Sequence, residues 1–178
     1  MTTWLPTPAR WLYPGALALL LVTPVWAAPI PGLFNTGVAA DGTLLPASGG
    51  ATTVVDPHYR VIESADAAFP ASIEAPANAV TLLPGFPVGP WLAEGPASKW
   101  ISLNRVQGNV LDGNYVFRTT FDLTGFDPAK ARIEGKWSVD NQGMDILING
   151  ESLGLTNNAG FGGFTDFVIE SGFVAGLN

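Results

Sequence analysis

Three tryptophans and one asparagine have the clearest binding chemistry in this sequence. Trp91 and Trp100 flank a loop-forming stretch rich in Gly, Pro and Ala, and Trp137 is followed closely by Asn141. An indole face packs against the apolar side of a sugar ring, and planar amides bond its hydroxyl groups. The sequence therefore predicts a carbohydrate contact at these four residues. For Trp137 a role in core packing stays open, because it lies on the apolar side of an alternating segment.

A polar turn from Asp140 to Asp145 is dense in oxygen atoms, the ligands that calcium prefers. Calcium takes about six to eight oxygens, and both aspartates offer a carboxylate. The spacing lacks the distal bidentate glutamate of an EF-hand loop. The turn predicts a structural calcium ion at Asp140 and Asp145, with a plain hydrogen-bonded Asx turn as the alternative. No motif requires any other cofactor.

Catalytic groups are sparse in this chain. His58 is its single histidine, and it has no cysteine. A histidine triad on Asp56 or Asp66 would also need a nucleophile, and no Gly-x-Ser-x-Gly elbow is present. The glutamates that would have to pair as glycosidase acids lie on alternating solvent faces or in turns. We expect a non-catalytic protein in which His58 begins a strand and its ring hydrogen-bonds locally.

The charge balance limits the partners. The chain carries 15 acidic and 8 basic residues, and its formal net charge is −7. Nucleic acids and anionic membrane surfaces both require a basic face on the protein. The sequence therefore predicts neither of them as a partner.

Residues 1–27 have the organisation of a secretory signal peptide. Arg10 supplies a positive charge, residues 16–25 form an almost unbroken apolar run, and the run leads to a small residue at Ala27. We expect cleavage after Ala27. The mature protein would then be secreted, either extracellular or at the cell surface, without contact to a membrane. An uncleaved N-terminal anchor is the alternative.

Alternating apolar and polar residues dominate the C-terminal half. A period of two runs from residue 115 to 123 and again from 131 to 139, and predicts half-buried strands. A third alternation from Met144 leads into Asn149-Gly150, where both residues tolerate the positive φ of a two-residue hairpin turn. Weaker strand candidates are residues 58–63, 80–83, 99–103 and 164–169.

These strands predict an all-β fold, an antiparallel β-sandwich. Short strands are separated by Gly, Pro and Asn turns, and no convincing helical period is visible. We assign residues 28–57 to an extended lead-in with short edge strands. Residues 58–178 are assigned to the β-sandwich domain.

The C-terminal segments follow a recognisable order. The hairpin ILINGESLG at residues 146–154 is followed by GFGGF at 160–164 and FVAGLN at 173–178. Together they resemble the galactose-binding-like, sugar-binding jelly-roll domains that accompany β-galactosidases and β-glucuronidases. The resemblance implies a jelly roll, carbohydrate binding and a structural calcium ion. In those domains the Gly-x-Asn turn enters a final strand, so the resemblance also implies that this strand is missing after Asn178 and leaves an unpaired edge.

Four further segments resemble a group of secreted bacterial proteins of unassigned role. They are DPHY at residues 56–59, WLAEGPASKWI at 91–101, the alternation at 115–123 and WSVDN at 137–141. Many proteins of that group carry a C-terminal sorting tail of the PEP-CTERM type. This likeness covers nearly the whole chain after residue 27.

The sequence thus predicts a secreted, non-catalytic module that binds carbohydrate. The expected partner is an exopolysaccharide, a cell-surface glycan or another component of the extracellular matrix. A structural, adhesion or surface-assembly protein without a small ligand is the alternative, and in that case the same aromatic residues all belong to the core. A glycoside hydrolase or an esterase accessory fragment is the least favoured hypothesis.

Overall fold

The computed structural model describes residues 28–178, so the predicted signal peptide lies outside the described residues. Within them the chain forms antiparallel sheets and two short 3-10 turns, Pro128–Lys130 and Gly160–Gly162, with no α-helix. None of this part of the chain forms a helix with the length and apolarity needed to cross a membrane. The all-β, antiparallel prediction is confirmed.

Eight strands are present in the described residues. In chain order they are β1 (Val55–Ser64), β2 (Ala77–Thr81), β3 (Ile101–Ser102), β4 (Tyr115–Arg118), β5 (Ile133–Trp137), β6 (Leu147–Ile148), β7 (Glu151–Ser152) and β8 (Thr165–Ile169). The largest sheet is a curled half-barrel of four strands in the order β3-β2-β1-β4. The strand pairs β5-β8 and β6-β7 form two further sheets.

The alternation at residues 115–123 is divided between two pairings. Its first half forms β4 beside β1, whereas Phe121 and Leu123 pair with the C-terminal segment. The Leu123 amide donates to the Gly176 carbonyl at 2.8 Å, and the Asn178 amide donates to the Phe121 carbonyl at 2.8 Å. Both Phe121 and Leu123 are buried. The period of two identified the buried Phe121 and Leu123, whereas Phe117 on the same side of the pattern is exposed, and one continuous strand was too simple.

The predicted hairpin at Asn149-Gly150 is confirmed. Ile148 of β6 faces Glu151 of β7, which leaves these two residues as the turn. Their φ angles are 51° and 87°, the left-handed values that such a turn requires. The turn also contacts the C-terminal segment, because the side-chain Nδ2 of Asn149 donates to Gly172 O and to Asn178 Oδ1, each at 3.0 Å.

Two hydrophobic clusters stabilise the described part of the chain. One lies under the four-stranded sheet and is built on Val61, Ala79 and Leu103. The other joins the lead-in to the C-terminal strands and is built on Phe121, Leu123, Ile148 and Ile169, with Ile30 and Leu33 packed against it. Residues 28–57 therefore contribute to packing, and β1 begins at Val55, before the boundary expected from the sequence.

Candidate functional site

The segment of residues 91–101, here called the tryptophan loop, is held by aromatic packing. Trp91 lies between two rings: the Trp100 ring is 5.0 Å away at 52°, and the Phe161 ring is 5.6 Å away and nearly parallel. The Trp100 Nε1 donates to Leu92 O at 2.8 Å, and the Leu92 amide donates to Phe161 O at 2.8 Å. The structure thus brings Trp91 and Trp100 together, and it adds Phe161 as the residue that fixes them.

The lead-in forms a second wall beside this loop. The Lys99 amide donates to Thr36 O at 2.9 Å, and the Thr36 hydroxyl donates to Lys99 O at 2.6 Å. The Asn35 side chain donates to Ala97 O at 3.0 Å. Gly37 has a φ of 70°, and a Cβ there would lie 2.4 Å from the Lys99 Cβ. Only glycine permits this approach of the two segments.

Asp56 fixes the position of that wall. Its carboxylate is fully buried and accepts hydrogen bonds from the backbone amides of Gly37 at 2.6 Å, His58 at 2.8 Å and Tyr59 at 3.2 Å. Three amide donors compensate a buried carboxylate for the loss of water. Burial and the Asp56 charge raise the pKa of the neighbouring Tyr59 to about 12. Among the described residues, the partners of the Asp56 carboxylate are thus the backbone amides that define this wall.

Between these walls lies a small cleft with a volume of about 100 Å³. Liquid water occupies about 30 Å³ per molecule, so the cleft has room for part of one sugar residue. Its polar groups include an ion pair between Lys99 Nζ and Glu94 Oε2 at 2.6 Å, and its apolar surface includes one indole. The lining residues are Thr36, Leu92, Ala93, Glu94, Gly95, Ser98, Lys99, Trp100, Ile101, Ser138 and Phe164.

Of the four residues predicted to contact carbohydrate, only Trp100 lines this cleft; Trp91, Trp137 and Asn141 do not. The Trp137 indole packs against Gly143 and Asn157, and its Nε1 is buried without a hydrogen-bond partner among the described residues. Asn141 is exposed, and its carbonyl lies next to Gly160. For Trp137 the packing alternative agrees with these contacts. The sugar contact predicted at Asn141 stays a prediction.

In residues 140–145, here called the polar turn, Asp145 uses both of its carboxylate oxygens within the protein. Asp145 accepts hydrogen bonds from the Ser152 hydroxyl, from the Ile146 amide at 2.8 Å and from the Leu155 amide at 3.0 Å. The bond from Ser152, assisted by these amides, lowers the pKa of Asp145 against a smaller opposing effect of burial. Burial, and secondly the charge of Asp112, raise the pKa of Asp140.

The donor set of the polar turn does not fit a calcium site built on two free aspartates. Both oxygens of Asp145 already accept from protein groups. Within residues 28–178, no three His, Cys, Asp or Glu side chains converge in a way that would hold a metal ion. The contacts agree with the Asx-turn alternative, and calcium at Asp140 and Asp145 stays a prediction.

His58 lies in β1, where the sequence places a strand. Its ring stacks on Phe34, with the centroids 3.8 Å apart and the planes at 12°. The buried Nε2 has no hydrogen-bond partner among the described residues, so the local hydrogen bond expected for this ring is not found at Nε2.

Sequence reasoning missed most residues of the cleft. Thr36 lies in no motif and contacts a residue 63 positions away in the chain. Ser98 and Ser138 lie in the WLAEGPASKWI and WSVDN segments, but nothing in those segments identifies them as binding residues. Glu94 and Lys99 lie in the WLAEGPASKWI segment, but from the sequence alone an ion pair between them would be interpreted only as a surface contact. No family model, no curated protein and no solved structure matches this chain.

Proposed function

We propose that this chain is a secreted, non-catalytic binding module that contacts carbohydrate, an exopolysaccharide or a cell-surface glycan, at the cleft beside the tryptophan loop. The observation that carries the proposal is the composition of that cleft. It combines the indole of Trp100 and the ring of Phe164 with hydroxyl groups and the Glu94–Lys99 ion pair. Apolar ring faces beside fixed polar groups are what sugar recognition requires.

The proposal includes a galactose-binding-like jelly roll as the fold. Its support is the resemblance of residues 146–178, together with the antiparallel sheets and the Asn149-Gly150 hairpin. A signal peptide at residues 1–27 supports secretion. Binding functions reside in sites and not in folds, so the cleft carries more weight than the architecture.

Each side of the cleft has a role in this proposal. Phe164 is 47% exposed, and the Lys136 ammonium lies 4.7 Å from its ring centroid, so an aromatic face is held in place at the rim. Trp100 cannot turn away, because its Nε1 is bonded to Leu92 O. A preformed site loses less conformational entropy on binding.

The test is a glycan array probed with the purified protein and two single variants. Phe164→Ala removes the rim ring, and Phe126→Ala removes a ring of similar exposure, 39%, in a turn away from the cleft. An aromatic contact contributes about 0.5–1.5 kcal/mol, so we expect Phe164→Ala to weaken binding by up to about tenfold. Phe126→Ala should bind as the parent protein does. No glycan retained, or equal loss in both variants, would contradict the proposal.

A surface-assembly protein without a small ligand is the second candidate. Apolar side chains are exposed near the C-terminus, among them Val174 and Leu177. Exposed apolar residues close to strand edges favour association with another chain. Sedimentation of the protein over a range of concentrations distinguishes the two candidates, because assembly predicts mass growth without glycan and a binding module predicts none.

A further inference from the structure

The Glu94–Lys99 pair is the one charged group in the cleft, and it is held tightly. The Nζ–Oε2 distance is 2.6 Å, and the side chains of Lys99 and Glu94 are 16% and 21% exposed. Partial withdrawal from water strengthens such a pair relative to one on an open surface. The two charges cancel, so the cleft presents fixed dipoles without a net charge of its own.

The backbone fixes where this pair lies. Lys99 is bonded to Thr36 through both its amide and its carbonyl, and Gly37 packs directly against its Cβ. Gly37 is in turn held by the buried carboxylate of Asp56. A pair supported in this way keeps its geometry before a ligand arrives, which is the condition for specific recognition.

Both partners keep unused hydrogen-bonding capacity. An ammonium has three donors, and Lys99 uses one of them on Glu94. A carboxylate has two oxygens, and within residues 28–178 only Oε2 of Glu94 accepts a side-chain or backbone donor. Within residues 28–178, the ion pair that lines the cleft therefore keeps unused donors on Lys99 and an unused acceptor oxygen on Glu94. Two neighbouring hydroxyl groups complement that arrangement, because one donates to Glu94 while the other accepts from Lys99.

We propose that the Glu94–Lys99 pair hydrogen-bonds the vicinal diol of a neutral sugar and discriminates against uronic acids. This inference rests on the proposed function, because it concerns the same cleft. A uronate carboxylate that accepts from Lys99 lies beside the negative charge of Glu94, and the two like charges repel each other. The chain adds a formal net charge of −7, which repels polyanionic glycans at longer range. A neutral diol meets neither penalty.

The experiment compares matched probes on the purified protein. The probes are polymer-linked glucoside, galactoside and mannoside, the corresponding glucuronide, and a deoxy sugar that lacks one hydroxyl of the diol. We expect the glucuronide and the deoxy probe each to bind at least about tenfold more weakly than the best neutral hexoside, since like-charge contact and unpaired polar groups both oppose binding.

Two single variants with the same change in charge complete the design. Glu94→Gln frees Lys99 and should raise glucuronide binding relative to neutral hexoside, so that the preference narrows or reverses. Glu134→Gln removes a carboxylate that is 63% exposed on β5, away from the cleft, and should leave the ratio unchanged. Melting temperatures of both variants show whether a loss of binding reflects unfolding.

The outcomes separate this inference from the proposed function. If no carbohydrate probe binds the parent protein, both are overturned. If hexosides bind but the glucuronide binds equally well, or the two glutamate variants shift the ratio alike, the proposed function stands and the diol inference is overturned. A preference for neutral hexosides over the glucuronide that decreases only in Glu94→Gln supports both the diol inference and the proposed function.

Discussion

The tryptophan loop and the polar turn both have binding chemistry in the sequence, yet they use their polar groups in opposite ways. In the tryptophan loop, Glu94 and Lys99 bond each other at the wall of a cleft and keep free donors and acceptors. In the polar turn, the Asp145 carboxylate accepts hydrogen bonds from Ser152 and from two backbone amides. In the tryptophan loop, aromatic rings support the backbone and the charged side chains line the cleft. In the polar turn, the charged side chain of Asp145 itself supports the backbone.

The difference lies in what else holds each segment. The tryptophan loop has the Trp91–Trp100–Phe161 cluster, so its charged side chains are not needed to define the backbone. Among the described residues, no aromatic cluster supports the polar turn. It is held by side-chain hydrogen bonds, by the backbone pair between Gly143 and Asn157, and by one close approach to Trp137. Where other contacts stabilise the backbone, polar side chains can keep hydrogen-bonding capacity for a ligand.

The largest expected effect is at Gly143, where Gly143→Ala should cost about 2–3 kcal/mol of unfolding free energy. An added Cβ would lie 2.4 Å from the Trp137 ring and 2.8 Å from the Asn157 Cβ, which belong to packed groups with little freedom to shift. In the tryptophan loop, Gly95→Ala meets nothing within 4 Å and should change stability by less than about 0.5 kcal/mol. Urea unfolding of both variants gives the comparison, and equal losses would remove the contrast between the regions.

The next largest effect is at Asn157. This buried amide donates to Trp137 O at 2.6 Å and accepts from the Gly160 amide at 2.9 Å. Asn157→Ala leaves both backbone groups unpaired and should cost about 1–3 kcal/mol. Its neighbour Asn158 is exposed and bonds only Gln142, so Asn158→Ala serves as the control and should be near neutral in thermal unfolding.

A smaller effect is expected when the charges of the tryptophan loop are removed together. The double variant Glu94→Gln/Lys99→Met should lose less than about 1 kcal/mol of stability, because a partly exposed ion pair contributes little net free energy. The same variant should lose its selectivity in the glycan assay. A loss of stability as large as that of Asn157→Ala would show that the pair supports the fold.

The smallest effect concerns acid. Hydrogen bonding lowers the folded-state pKa of Asp145 below its ordinary value of 3.8. A lowered pKa adds stability above the unfolded value, and that contribution is lost as the pH falls through the folded value. Asp145→Asn should therefore flatten the decrease in melting temperature between about pH 5 and pH 2. If the melting temperatures of the variant and the parent protein decrease in parallel as the pH falls, the hydrogen bonds to Asp145 do not stabilise the folded state as described.

Local signals in the sequence identified much of the secondary structure. The alternation at 131–139 placed Ile133, Gly135 and Trp137 on one side of β5, as the burial pattern confirms. Asn149-Gly150 identified the hairpin, because its φ requirement is a property of two residues alone. The same method merged β4 with residues 121–123, since a period of two does not specify which partner each half pairs with.

The cleft was beyond such reasoning, apart from Trp100. The wall that the lead-in forms depends on the hydrogen bonds between Thr36 and Lys99. It also depends on Gly37, which permits the close approach, and on the hydrogen bond from Gly37 to Asp56. Each contact joins segments that are distant in the chain, and none leaves a periodic or motif signal. In the polar turn the oxygen content was visible in the sequence, but the internal donors to Asp145 were not.

The sequence by itself determined the all-β class, the hairpin and the acidic character, because φ preference, alternation and charge are properties of neighbouring residues or of composition. Only the tertiary structure decided which polar groups remain open. Which hydrogen bonds a polar group forms depends on the groups that lie near it in space. Glu94 and Lys99 therefore line a cleft, whereas Asp145 accepts a hydrogen bond from Ser152 of β7.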